Sequence, residues 1–86
     1  MTQPGPHALQ PITIDARGLS CPLPVLRLNK TLKGISGPAE VVLLATDPAA
    51  LRDVPAFCGA HGHEVIHSLA QSPQGEFFKF RIRKIA

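Results

Sequence analysis

The stretch Glu40 to Pro48, EVVLLATDP, decides the fold. Its apolar part is too short for a helix and rich in strand formers, the pattern of a central strand buried on both faces. Asp47 and Pro48 then mark a helix start, since a carboxylate caps free N–H groups and proline is tolerated at the first helical position. Asp53 and Pro55 repeat the pattern one turn later. The sequence therefore predicts a short turn followed by the helix proper, with Pro55 in its first turn and the end near Gly62. That placement avoids the roughly 3 kcal/mol that an interior proline costs.

Working outward, Ile12 to Asp15 alternates apolar and polar residues as a half-buried strand does, and Arg17 and Gly18 end it. From Pro24 to Lys33, Val25, Leu28 and Leu32 recur at spacings of three and four, with Arg27, Lys30 and Lys33 elsewhere. This is an amphipathic helix, closed by Gly34 and Gly37. Downstream, strands are expected at Glu64 to Leu69 and Glu76 to Ile85, joined by a turn at Ser72, Pro73, Gln74 and Gly75. In the last strand Phe78, Phe80 and Ile82 share one face, and Lys79, Arg81 and Arg83 the other. The order βαβαββ defines an α+β fold: a two-layer α/β sandwich with two helices packed on one face of a mixed four-stranded sheet. Residues 1–10, with Pro4, Gly5 and Pro6, read as a disordered lead-in, and 11–86 as a single domain.

The 86 residues suffice for one small core but not for enclosing a large cofactor. An aromatic share of 5% leaves the interior to aliphatic side chains. No apolar run approaches the roughly 20 residues of a membrane span, and MTQPGPHALQP lacks the features of a signal peptide, so a cytoplasmic protein is expected. Two cysteines are too few for a disulfide-stapled secreted domain. The net charge of +3 favours acidic protein surfaces or RNA without requiring either.

Cys21 stands out within GLSCPLP, residues 18 to 24. A residue before proline is pushed out of helical geometry, so Cys21 is expected to be extended and to cap a helix that begins at Pro22 or, because Leu23 also precedes a proline, at Pro24. A helix N-terminus favours an anion, and this alone would lower a thiol from about 8.5 to about 7.5. Pro22 and Pro24 remove N–H groups but rigidify the platform. No base for a cysteine hydrolase lies nearby, and the chain is too short for a substrate cleft. Sulfur exchange between cysteines needs neither, only displacement at sulfur.

Cys21-Pro22-Leu23-Pro24, preceded by Asp15, Gly18 and Leu19, resembles the Cys-Pro-x-Pro signature of the TusA (SirA-like) sulfur-carrier proteins. The likeness continues through Asp47-Pro48, Arg52-Asp53, Phe57-Cys58, Gly62-His63-Glu64 and Arg81 to Lys84. The resemblance implies a sulfurtransferase that carries persulfide sulfur on Cys21, without other cofactor, from a cysteine desulfurase or rhodanese-like donor to an acceptor of the TusD/DsrE type. In the best-known branch the sulfur goes to the 2-thiouridine of tRNA; other relatives serve sulfur oxidation or molybdenum cofactor biosynthesis. Leu23 stands where the tRNA-thiolation members often carry Glu, which leaves the acceptor branch open.

The remaining residues have competing readings. Cys58, at helical spacing from Leu51 and Val54, is expected in the core, with an auxiliary thiol as the alternative. Cys58, His61, His63 and His67 offer zinc ligands, but they run from a helix end through a turn into a strand, and no metal site is assigned. Asp15 either orients the cysteine loop by accepting its N–H groups or simply ends a strand. Gly18 supplies backbone freedom. Arg17, Arg27, Lys30 and Arg52 would dock an acidic partner, or belong to solvated faces. A module binding nucleic acid through Lys79, Arg81 and Arg83, or a regulatory one, is the alternative function.

Overall fold

The computed structural model describes residues 12–69 and 77–85. The expected lead-in at 1–10 and the turn at Ser72 to Gly75 lie outside the described residues. Six elements follow one another: β1 (Ile12–Ala16), α1 (Leu23–Lys33), β2 (Ala39–Ala45), α2 (Ala50–His61), β3 (Glu64–Leu69) and β4 (Phe78–Lys84). They form the βαβαββ arrangement that the periodicities predict.

The four strands stand in the order β1-β2-β4-β3. β1 runs parallel to β2, and β4 runs antiparallel to both β2 and β3. β2 is thus an interior strand, which explains its near-continuous apolar sequence. Val41, Leu43 and Ala45 face the helices together with Ile14, Phe80 and Ile82, while Val42 is buried on the other side. Leu28 and Leu32 from α1 and Ala50, Val54 and Cys58 from α2 close one core over this face. Each of the large side chains contributes about 1.5–3 kcal/mol by leaving water.

Alternation in β4 is as expected, with Phe80 and Ile82 buried and Lys79, Arg81 and Arg83 exposed. Lys84 continues the buried side, because its amine reaches past the core edge to donate to the Gly37 carbonyl at 2.8 Å. The long stem packs while the charge finds an oxygen.

α2 departs from expectation. One continuous helix runs from Ala50 to His61 with Pro55 inside it, rather than starting afresh beyond Asp53. The turn before it is closed by N–H groups of Ala50, Leu51 and Arg52 donating to the carbonyls of Asp47, Pro48 and Ala49 at 2.9, 3.0 and 3.1 Å. Pro55 cannot donate to the carbonyl of Leu51, but Leu51 and Pro55 are both exposed, so that carbonyl stands on the solvent side. Burial of Ala50, Val54 and Cys58 on the opposite side outweighs the lost bond. The end near Gly62 is as predicted: Gly62 adopts a left-handed φ of 75° and its N–H returns to the Cys58 carbonyl. After α1, by contrast, Gly34 stays right-handed and Gly37 takes the positive φ.

In β3 an extra residue at Ile66 interrupts the pairing between Val65 and His67.

Candidate functional site

Parallel pairing brings the ends of β1 and β2 side by side, with Ala16 opposite Ala45. The loops that follow, 17–22 and 46–49, are therefore neighbours, the usual place for a site in sheets with parallel strands. Two hydrogen bonds tie them together. The Gly18 N–H donates to Thr46 Oγ1 at 2.9 Å, and the Cys21 N–H donates to Asp47 Oδ2 at 2.7 Å. Gly18 has φ +82°, which favours glycine, in line with its expected role. The other Asp47 oxygen accepts the Ala49 N–H at 3.0 Å, so one carboxylate fixes both the cysteine loop and the approach to α2.

Cys21 is exposed. The peptide joining it to Pro22 is cis, and Pro22, not Cys21, occupies the cap position of α1, with Leu23 as the first helical residue. This corrects the expected capping role. The pre-proline restriction on Cys21 keeps it out of the helix, and the cap moves one residue on to Pro22, while Leu23 is helical although it too precedes a proline. The Leu23 N–H donates to the Ser20 carbonyl at 2.8 Å, and Pro22 and Pro24 have none to offer.

The expected lowering of the thiol is reversed. Cys21 Sγ donates to Asp53 Oδ2 at 2.9 Å. That bond, aided by partial desolvation and by the negative charges of Asp53 and Asp47, pushes the thiol up, against a smaller opposing pull from Arg52. A neighbouring carboxylate outweighs the helix end because the first turn of α1 has few N–H groups to present. Asp53 is correspondingly held below the usual carboxylate range by the thiol and by the Arg52 side chain, whose Nε donates to its second oxygen at 3.1 Å. Asp47 is held low by the N–H groups of Ala49 and Cys21.

Asp15 does not touch the cysteine. Its carboxylate accepts the Arg17 N–H at 3.1 Å and the Arg17 guanidinium at 2.9 and 3.0 Å, which draws it down to about 2. Its main-chain carbonyl accepts Arg27 Nη1 at 3.0 Å. Asp15 thus accepts the N–H of the first residue of the 17–22 loop, while the N–H of the cysteine itself is held by Asp47. Arg17 also lies 5.3 Å from the centre of the Phe77 ring. Arg27 and Lys30 line a shallow groove with Leu19, Leu23 and Leu26 beside the cysteine loop. Leu23 and Leu26 are about half exposed there.

Cys58 is 1% exposed within the core, and burial pushes its thiol up to about 11. Its buried neighbours on α2 are Ala50 and Val54, not the exposed Leu51. Both cysteines are free thiols. Among the described residues no group of three or more His, Cys, Asp and Glu could hold a metal ion. His61 and His63 stack on each other and against Phe57, and His63 is held low by burial and by His61 and Lys84. On the open sheet face Arg81 pairs with Glu40 and Arg83 with Glu64, so two of the three cations proposed for nucleic acid are already engaged. No described helix is long and apolar enough to cross a membrane.

From local pattern, Asp47 reads as a helix cap and Asp53 as a repeat of the Asp-Pro pattern; both also fall in the family likeness, but neither is thereby assigned to the cysteine. The signal that finds them is the parallel β1–β2 pair, which requires the residues after Ala16 and Ala45 to meet.

Fold and site together define a class: a small α+β domain that presents one accessible thiol where parallel strands end and a helix begins. The chain belongs to the TusA family, since residues 12–84 match the family described as "Sulfurtransferase TusA". It is 39% identical over 74 residues to the "Sulfur carrier protein TusA" of Pseudomonas entomophila strain L48, covering 86% of this chain and 89% of that protein. A crystal structure of a SirA-like protein from Desulfitobacterium hafniense has the same fold, with a TM-score of 0.74 at 24% identity over 87% of this chain and 99% of the other. The chain is accordingly a TusA-like sulfur carrier, a role that entails a sulfur donor and a sulfur acceptor.

Proposed function

We propose that Cys21 is the residue that bears the sulfur. The observation that carries this reading is elimination by burial. A carrier that holds sulfur as a persulfide needs an accessible thiol; the chain has two cysteines, and Cys58 is sealed in the core. Cys21 sulfur attacks the terminal sulfur of a donor persulfide, the donor S–S bond breaks, and the donor cysteine leaves as a thiolate. The thiol proton passes to a base or to that leaving thiolate. In the second half, an acceptor thiolate attacks the outer sulfur of the Cys21 persulfide and Cys21 is restored. No oxidant, reductant or further cofactor is consumed.

Pro22, Pro24 and Gly18 hold the loop, and Asp15 fixes its base through Arg17 and Arg27. Arg27 and Lys30 in the groove beside the loop, with Arg17 and Arg52 flanking it, offer cations suited to acidic protein partners. The donor is a cysteine desulfurase or a rhodanese-like protein, the acceptor a protein of the TusD/DsrE type, and the compartment the cytoplasm. The resemblance to tRNA-thiolation carriers supports 2-thiouridine synthesis as the destination. Delivery to sulfur oxidation or molybdenum cofactor biosynthesis uses the same half-reactions.

The test is the intact mass of the non-reduced protein after incubation with a cysteine desulfurase and free cysteine. Wild type gains one sulfur that reduction removes, and Cys21→Ser gains none while remaining folded by circular dichroism. Wild-type loading by Cys21→Ser would overturn the assignment.

A further inference from the structure

The proton on Cys21 has a defined partner. Sγ lies 2.9 Å from Asp53 Oδ2, and the loop cannot readily swing away because the Cys21 N–H is held at 2.7 Å by Asp47. The charged groups acting on this sulfur all come from the α2 side: Asp47, Asp53 and Arg52. Arg52 turns its guanidinium to Asp53 Oδ1 and so partly offsets the carboxylate. α1 has no acidic residue in its first turn; its cations are Arg27, whose Nη1 is held by the Asp15 carbonyl at 3.0 Å, and Lys30 and Lys33 in the last turn.

We infer that Asp53 is a positioning residue for Cys21, accepting its S–H hydrogen bond and so holding the sulfur as a thiol in the free protein. The inference deepens the carrier reading and rests on it for the transfer step. In that step the Cys21 S–H bond breaks, the new S–S bond forms as the donor S–S bond opens, and the proton passes to the departing donor thiolate, which leaves the Asp53 carboxylate unchanged. A carrier built this way is restrained from unprogrammed alkylation and oxidation, because the thiolate rather than the thiol is the nucleophile.

The experiment is the rate of Cys21 alkylation by iodoacetamide across pH, followed by intact mass, in wild type, Asp53→Asn and Arg52→Ala. Asp53→Asn lowers the midpoint of the profile and Arg52→Ala raises it by a smaller amount. Opposite signs cannot come from a general loosening of the fold. Each tenfold gain in thiolate returns about a threefold gain in rate, because nucleophilicity falls with basicity. Asp53→Asn should therefore react faster than wild type at pH 7, and the order should invert at alkaline pH, where both sulfurs are ionised and the less basic thiolate is the weaker nucleophile. Coincident profiles for wild type and Asp53→Asn, or shifts of the same sign in both variants, would overturn the inference.

Loading from glutathione persulfide at pH 7 separates the two readings. Asp53→Asn should load faster than wild type. If neither protein takes sulfur while the alkylation profiles separate as expected, the carrier reading fails and the assignment of Asp53 as positioning residue stands. If both load equally and the profiles coincide, the carrier reading stands and Asp53 loses its role.

Discussion

Cys21 and Cys58 are the same side chain in two environments, and both thiols are pushed upward for opposite reasons. Cys58 is raised to about 11 because the core offers nothing to solvate an anion. Cys21 stands at the surface and is raised because a carboxylate accepts its S–H hydrogen bond. The first restraint is a property of the core and lasts as long as the fold. The second depends on one side chain, so a partner or a substitution can lift it. A raised thiol is therefore not by itself a mark of inertness; access decides which cysteine can react, and Asp53 sets how readily.

The largest test of this contrast is labelling before and after unfolding. Native protein should accept one alkyl group, on Cys21, and denatured protein two, by intact mass. A second adduct on the native protein at a comparable rate would show that Cys58 is reachable and would remove the elimination argument for Cys21.

A smaller effect sharpens the picture of the loop. The cap position of α2 is Ala49 rather than Asp47, but Asp47→Ala removes the acceptor of both the Cys21 and Ala49 N–H groups, and we expect a loss of about 1–3 kcal/mol in urea unfolding, the range for hydrogen bonds to a charged group. The Cys21 alkylation profile should broaden as the sulfur leaves its fixed place beside Asp53. Unchanged stability would mean that the loop is held by the Gly18–Thr46 bond alone.

Another expected effect is in alkaline stability. An unfolded thiol ionises near about 8.5, whereas Cys58 in the fold ionises near about 11. Between these values the unfolded chain binds fewer protons than the native one, so stability present below about pH 8.5 falls as pH rises toward 11. Cys58→Ala should flatten this fall, leaving only the contribution of Cys21, which has the same sign. A pH dependence of unfolding between pH 8 and 11 that Cys58→Ala leaves intact would place its origin elsewhere.

How much the sequence disclosed follows the range of the interactions concerned. Alternation in Phe78 to Arg83 and the helical spacing of Leu28 and Leu32 are local consequences of backbone geometry, and they appear in the fold as read. Pro55 was misplaced because a local penalty was weighed without the tertiary burial that offsets it. The left-handed turn after α1 falls at Gly37 and not Gly34, a choice between two local solutions made by the chain's path toward β2. The bulge at Ile66 leaves no trace in composition.

The candidate site divides in the same way. Cys21 with its prolines was legible, since proline restrictions act on adjacent residues. Its electrostatics were not. The helix-end argument predicted a lowered thiol, and the contact that reverses it spans 32 residues, while the anchor on the Cys21 N–H spans 26.

By itself the sequence determined the succession of elements, the apolar face of each, and the presence of a thiol on a rigid loop, because these depend on neighbours a few residues apart. Only the tertiary structure decided which carboxylates that thiol meets. Parallel pairing of β1 with β2 sets two distant loops side by side, and at 2.9 Å the charge of Asp53 governs the sulfur more strongly than the end of its own helix.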